Sequence, residues 1–173
     1  YCNMVGAQDE LIFDGQSFIV DNQKQIKTIG KHCESDLIDF DANNDAICQN
    51  KAVQQEKELF DILSLGVSDY FKKTGFSKAV IGLSGGIDSA LTAVIATSAL
   101  GKNNVIGISM PSQFSSEHSK IDAKELADKL GIDFQIISIH NLFNESLNNM
   151  GSFFNSSDFG IAEENLQSRI RGN

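Results

Sequence analysis

The spacing of apolar positions divides the chain into three zones. Residues 1 to about 30 carry short apolar runs broken by turn residues: Leu11-Ile12-Phe13, then Asp14-Gly15, then Ser17-Phe18-Ile19-Val20, then Asp21-Asn22. Such a pattern predicts short strands joined by tight turns. Residues 31–50 are polar and aperiodic, with Asp36, Asp39, Asp41, Asn43, Asn44 and Asp45. They read as a linker or exposed excursion, which we extend to residue 53. From Gln54 a helical period sets in: Leu59, Phe60, Leu63, Val67, Tyr70 and Phe71 recur three or four apart, and Gly75 closes the run. Strands predicted at 78–83, 105–110 and 134–138 then alternate with helices at about 88–100, 116–130 and 142–150. The apolar run Ala79-Val80-Ile81 reads as a buried parallel strand. Alternation of this kind implies an α/β class with a doubly wound parallel sheet and ligands at the carboxyl ends of its strands.

Composition narrows the class. In 173 residues, 41% hydrophobic content with twelve Phe supports a real core. A net charge of −9 argues against nonspecific nucleic-acid binding, which needs a basic face, although a local basic pocket remains compatible with it. Cys2, Cys33 and Cys48 form neither a metal pattern nor an even disulfide set, which points to a reducing cytoplasm. No apolar run reaches membrane-spanning length, and the first residues lack the pattern of a signal peptide. The chain does not start with Met and stops at Arg171-Gly172-Asn173 straight after a charged segment, so both ends read as cut.

The chemistry concentrates at residues 82–89, Gly82-Leu83-Ser84-Gly85-Gly86-Ile87-Asp88-Ser89. A strand, a glycine turn and a helix N-terminus converge free N–H groups and the positive helix end on one point, which makes an anion site. Ser84 and Ser89 add hydroxyls, and Asp88 places a carboxylate there, which makes sense beside an anion when a divalent cation bridges the two. No Lys-Ser/Thr follows the glycines and no Gly-x-Gly-x-x-Gly is present, so the two commonest nucleotide loops are excluded. The bland alternative is a Gly-Ser turn before a capped helix.

Two further segments are weaker. Met110-Pro111-Ser112-Gln113-Phe114-Ser115-Ser116 lies where an open sheet places its ligand, yet alone it reads as a strand-ending turn with Ser116 as helix cap. Asn165 and Arg169 share a helix face at i, i+4, where a guanidinium suits a carboxylate or phosphate. Without further context that helix reads as solvated, with weak Glu–Arg pairs.

Ser-Gly-Gly-Ile-Asp-Ser resembles the pyrophosphate loop of the ATP pyrophosphatases. Followed by Met-Pro-Ser-x-Phe-Ser-Ser and Glu-Asn-x-Gln-Ser-Arg-x-Arg-Gly-Asn, it is similar to the synthetase domain of the NAD synthetases. Residues 1–17 resemble the closing strands of the nitrilase-like glutaminase domain found in the glutamine-dependent members. Ala7 and Gln16 stand where glycine is usual. The resemblance implies an adenine nucleotide alpha hydrolase-like fold over 54–173 and the end of a glutaminase domain over 1–30. It implies ATP-dependent amidation of deamido-NAD with ammonia from glutamine, Mg²⁺ held by Asp88, and a symmetric homo-oligomer. ATP would meet Gly82, Leu83, Ser84, Gly85, Gly86, Ile87, Asp88, Ser89 and Met110; deamido-NAD would meet Asn165 and Arg169. No catalytic side chain is assigned. Cys2 falls at an apolar position of the family and reads as a buried strand residue, not a nucleophile. Another amidotransferase on the same loop, such as a GMP synthetase, and a noncatalytic ATP-binding module are the rival readings.

By the same resemblance, a second metal carboxylate and a lysine near the reacting phosphate lie beyond residue 173. The isolated 173-residue chain is therefore expected to be inactive in both half reactions. Glutamine-driven NAD formation by that chain, followed by an NAD-specific enzymatic assay, would contradict this.

Overall fold

A computed structural model describes residues 1–41, 54–150 and 160–172. By its internal contacts the chain divides into two compact units, Tyr1–Ser77 and Lys78–Asn173.

The first unit holds two antiparallel hairpins and a long helix. Strand β1 (Val5–Gln8) pairs with β2 (Leu11–Asp14), and β3 (Phe18–Val20) pairs with β4 (Ile26–Ile29). The β1–β2 turn falls at Asp9-Glu10, where Asp9 takes a left-handed φ of 51° that Asp tolerates better than most residues. Asp14-Gly15 instead redirects the chain between the hairpins. The Asp21 turn forms as expected, its carboxylate accepting from the N–H groups of Gln23 and Gln25, both at 2.8 Å.

The expected linker is held at its start. His32 bridges to Gly15, and the Cys33 N–H donates to the Asp14 carbonyl at 2.8 Å. Gln16 Nε2 lies 2.9 Å from both Asp14 Oδ2 and His32 Nδ1, tying the side chains together. Burial first, then the Asp14 carboxylate, pushes the Cys33 thiol up, which makes it a poor nucleophile. The expectation for Cys2 is corrected: it is exposed and precedes β1, in a segment that pairs Tyr1 with Phe18 through two backbone bonds of 2.9 and 3.0 Å. Cys48 lies outside the described residues.

Helix α1 (Gln55–Thr74) ends on Gly75 in the left-handed conformation, as its sequence predicts, and its last turn carries Lys72 and Lys73. It packs on β1 and β2. In the hairpin the closing residues Gln8 and Leu11 face each other, so the next residue, Ala7, directs its N–H and C=O to the open edge. There Asp69 Oδ2 accepts from the Ala7 N–H at 2.6 Å, and Lys73 Nζ donates to the Ala7 carbonyl. The two side chains, paired with each other at 2.8 Å, occupy the positions a neighbouring strand would take. Thus α1 is bound to the β1–β2 hairpin through Asp69 and Lys73.

The second unit is a parallel three-stranded sheet of order β5-β6-β7: β5 (Ala79–Gly82), β6 (Val105–Ser109) and β7 (Asp133–Ile136). Helices α2 (Ile87–Leu100) and α3 (Glu117–Leu130) form the two crossovers and pack on the sheet through small residues. Ala93, Ala123 and Ala127 are essentially inaccessible beside Leu83, Val105 and Ile132. Register places Val80 beside Ile106 on the opposite face, where Val80 is 64% exposed. The predicted burial of β5 therefore holds on one face only, because both crossover helices lie on that face. Helix α4 (His140–Asn149) buries Phe143, which meets Phe114 edge-on at 6.2 Å. Helix α5 (Ile161–Gly172) follows.

Lys73 first, then the Ala7 N–H, holds the Asp69 carboxyl below the usual carboxylate range. A depressed folded-state pKa contributes stability above the unfolded value, about pH 4, and loses it as pH falls through the folded value. Asp69→Asn is therefore expected to lower the thermal midpoint at pH 7, with the difference from wild type shrinking below about pH 4. Melting curves at pH 7 and pH 3 check this; a pH-independent difference would contradict it.

Candidate functional site

The site grows out of the end of β5. Leu83 is 2% exposed and its N–H donates to the Ile108 carbonyl at 2.8 Å, so sheet pairing continues one residue past the strand. Its side chain belongs to the core, and the residue also borders the cleft beyond. At Ser84 the chain comes out to solvent. Ser89 Oγ accepts from the Ser84 N–H at 3.2 Å and donates to the Gly86 carbonyl at 3.0 Å. Ser84 Oγ accepts from the Gly86 N–H at 3.2 Å and lies 3.0 Å from Ser89 Oγ. Two serines thus lace a six-residue loop to the first turn of α2.

Gly85 sits at φ 80°, and a Cβ there would fall 2.5 Å from the Ser119 carbonyl oxygen. Both the left-handed backbone and the backbone of α3 exclude any side chain. Gly86 caps α2 without a side-chain bond. The N–H groups of Ile87, Asp88 and Ser89 occupy the first turn, where no carbonyl of the helix can reach them. These donors and the helix dipole suit an anion. Asp88 is exposed, and among the described residues its carboxylate takes part in no ion pair. No group of three or more His, Cys, Asp or Glu able to hold a metal occurs among the described residues. A single carboxylate fits Mg²⁺ shared with phosphate and water oxygens, not an all-protein cage.

Next to the loop, the end of β6 supplies the other wall. Met110 Cε lies close over Gly82, 3.3 Å from where a Cβ would stand. Pro111 to Ser115 form a turn closed by the Ser115 N–H to the Ser112 carbonyl at 3.2 Å. Ser116 caps α3 as expected, accepting from the Ser119 N–H at 3.1 Å. A cleft of about 450 Å³ opens between these walls; Gly82, Ser84, Met110, Phe114 and Ser119 border it. Its place at the carboxyl ends of parallel strands is where open α/β sheets bind ligands.

The structure thus brings Gly82, Leu83, Ser84 and Met110 onto one cleft, while Gly85, Gly86, Ile87, Asp88 and Ser89 continue the loop from Ser84 without lining it. It does not bring Asn165 and Arg169 there: both are exposed on α5. The face of α5 turned inward carries Glu163, Gln167 and Arg171, the first two buried. Glu163 accepts from the Gly160 N–H at 2.9 Å. Arg171, which the sequence reading passed over, borders the cleft and donates from Nε to the Met110 carbonyl at 3.2 Å. The i, i+4 relation of Gln167 to Arg171 was the available signal, but nothing in the sequence says which face of α5 turns inward.

Known proteins resemble this chain over its whole length. The glutamine-dependent NAD(+) synthetase of Synechocystis sp. is 47% identical over all of this chain, which covers 32% of that relative. That of Thermotoga maritima is 41% identical, again over the whole chain, with 36% of the relative covered. The chain thus spans about a third of the length of these curated relatives. The solved structure of glutamine-dependent NAD+ synthetase from Acinetobacter baumannii in complex with ADP matches 99% of the chain, and 34% of its own, with 37% identity and a TM-score of 0.91. The family model described as NAD synthase matches residues 59–173, which include the loop, the cleft and α5, and the chain belongs to that family.

Proposed function

We propose that the chain serves the ATP-dependent amidation of deamido-NAD to NAD, with ammonia released from glutamine in the full-length enzyme. The observation that carries this reading is the cleft shared by Ser84, the first residue of the serine–glycine loop, and Met110 in a member of the NAD synthase family. The chemical obstacle is that a carboxylate is a poor electrophile. Attack of its oxygen on the α-phosphorus of ATP releases pyrophosphate and leaves a carboxyl–AMP anhydride, from which ammonia displaces AMP. Ser84, Ser89 and the first-turn N–H groups of α2 hold the pyrophosphate as charge builds on it. Asp88 would hold Mg²⁺, which would supply charge neutralisation at the phosphate oxygens. Met110 offers a polarisable face to the adenine. Asn165 and Arg169, on the outward side of α5, orient deamido-NAD.

Within this reading, residues 54–173 are the first part of a synthetase domain and residues 1–30 the end of a glutaminase domain, with 31–53 between them. The enzyme works in the cytoplasm as a symmetric oligomer. No helix among the described residues is long and apolar enough to cross a membrane.

Three measurements on the full-length enzyme test the proposal. Asp88→Asn is expected to cut NAD formation by about a hundredfold or more while adenosine binding changes less than about threefold; unchanged turnover points to a noncatalytic nucleotide sensor instead. Gly85→Ala forces a Cβ against the Ser119 carbonyl and is expected to abolish detectable ADP binding in calorimetry, and wild-type affinity in that variant removes the loop from the site. Turnover of xanthosine monophosphate in preference to deamido-NAD favours the GMP synthetase reading.

A further inference from the structure

The cleft contains two cations, and they differ in how their charge is balanced. Lys120 Nζ is paired with Glu117 Oε1 at 2.7 Å. Arg171 has only neutral partners: Nε donates to the Met110 carbonyl at 3.2 Å and Nη2 to the Gln167 amide oxygen at 3.3 Å. Among the described residues no carboxylate pairs with it. Both contacts are partly buried, and Gln167 is 5% exposed. A guanidinium cannot lose its proton, so this is a fixed positive charge, partly desolvated and without a counter-ion. Two of its five donors are occupied, and the others remain for whatever enters the cleft. Desolvating a charge in this way is costly unless an anion meets it there. In a chain of net charge −9, it is also a local exception to the overall field.

The anchoring is as informative as the charge. The Met110 carbonyl fixes the guanidinium plane just past the end of β6, beside the methionine side chain that lies over Gly82 at the end of β5. Gln167 fixes it from one turn back on α5. A side chain restrained on two sides loses little freedom when a ligand arrives, which suits bidentate recognition of phosphate oxygens.

We propose that Arg171 binds the phosphate chain of the adenine nucleotide in this cleft, facing the Ser84–Ser89 loop as a second, side-chain anion contact. The inference rests on the functional reading above for the identity of the nucleotide. It assigns to α5 a role in nucleotide binding distinct from that of Asn165 and Arg169.

Calorimetric titration of the full-length enzyme with ADP and, separately, with adenosine tests it. Arg171→Gln is expected to weaken ADP by about tenfold or more while adenosine shifts less than about twofold, because only ADP carries the charge the guanidinium meets. Arg171→Lys keeps the charge without the fork and is expected to recover part of the ADP loss. Equal weakening of ADP and adenosine would mean that Arg171 acts only by holding Met110, and would overturn the proposal; so would unchanged ADP affinity in both variants. If Arg171→Gln fails to fold, the lysine variant decides: ADP weakened with adenosine unaffected supports the assignment, and parallel changes refute it. Wild-type enzyme that binds no ADP would instead remove the nucleotide reading itself.

Discussion

Leu83 is the residue on which the site depends. It is at once the sheet-bonded residue just past β5 and a member of the core formed with Ala93, Ala96, Val105, Ala123, Ala127 and Ile132. Burying such a side chain contributes roughly 2 to 3 kcal/mol, and here that burial also fixes where the next residue leaves the core. Gly107 on the neighbouring strand makes the fit possible, since a Cβ there would lie 2.6 Å from Leu83 Cδ1. The loop that follows needs no packing of its own. Its entry is set by Leu83, its exit by the alanine face of α2, and its span by two serines.

The cleft is assembled from elements far apart in the chain. The loop comes after β5, the methionine wall after β6, and the guanidinium from α5, 61 residues beyond the carbonyl it holds. Parallel strands with crossover helices make this convergence natural, because every strand delivers its carboxyl end to the same edge. Small residues let the helices lie close enough to matter: the Gly85 position meets the backbone of α3 directly. The polar character of the cleft is local and is produced by side chains from three segments, against an acidic background.

The loop was legible in the sequence because its chemistry demands particular residues at fixed spacing: glycine where a Cβ meets α3, serines where they must reach back to the loop backbone. Helix limits were legible through Gly75, Gly131 and Ser116, whose caps form as the sequence implies. What stayed hidden depended on partners. β1 is too short, and too broken by Gly6 and Gln8, to show alternation. Val80 looked buried from its neighbours in sequence, but burial of a strand requires cover on both faces. The inward face of α5 is polar, so the hydrophobic pattern that locates helix faces gave no guide to Arg171. Nor does any local signal tell that α1 binds the preceding hairpin through Asp69 and Lys73.

That last contact has a consequence for the chain in solution. An open strand edge with an unpaired N–H and C=O is a template on which other chains can add strands and begin to aggregate. Here a helix fills the place with a carboxylate and an ammonium, giving the edge the hydrogen bonds of a neighbour without offering a further edge beyond it. The ion pair on α1 thereby leaves no bare N–H or C=O at the Ala7 position of this edge, and two side chains suffice for it.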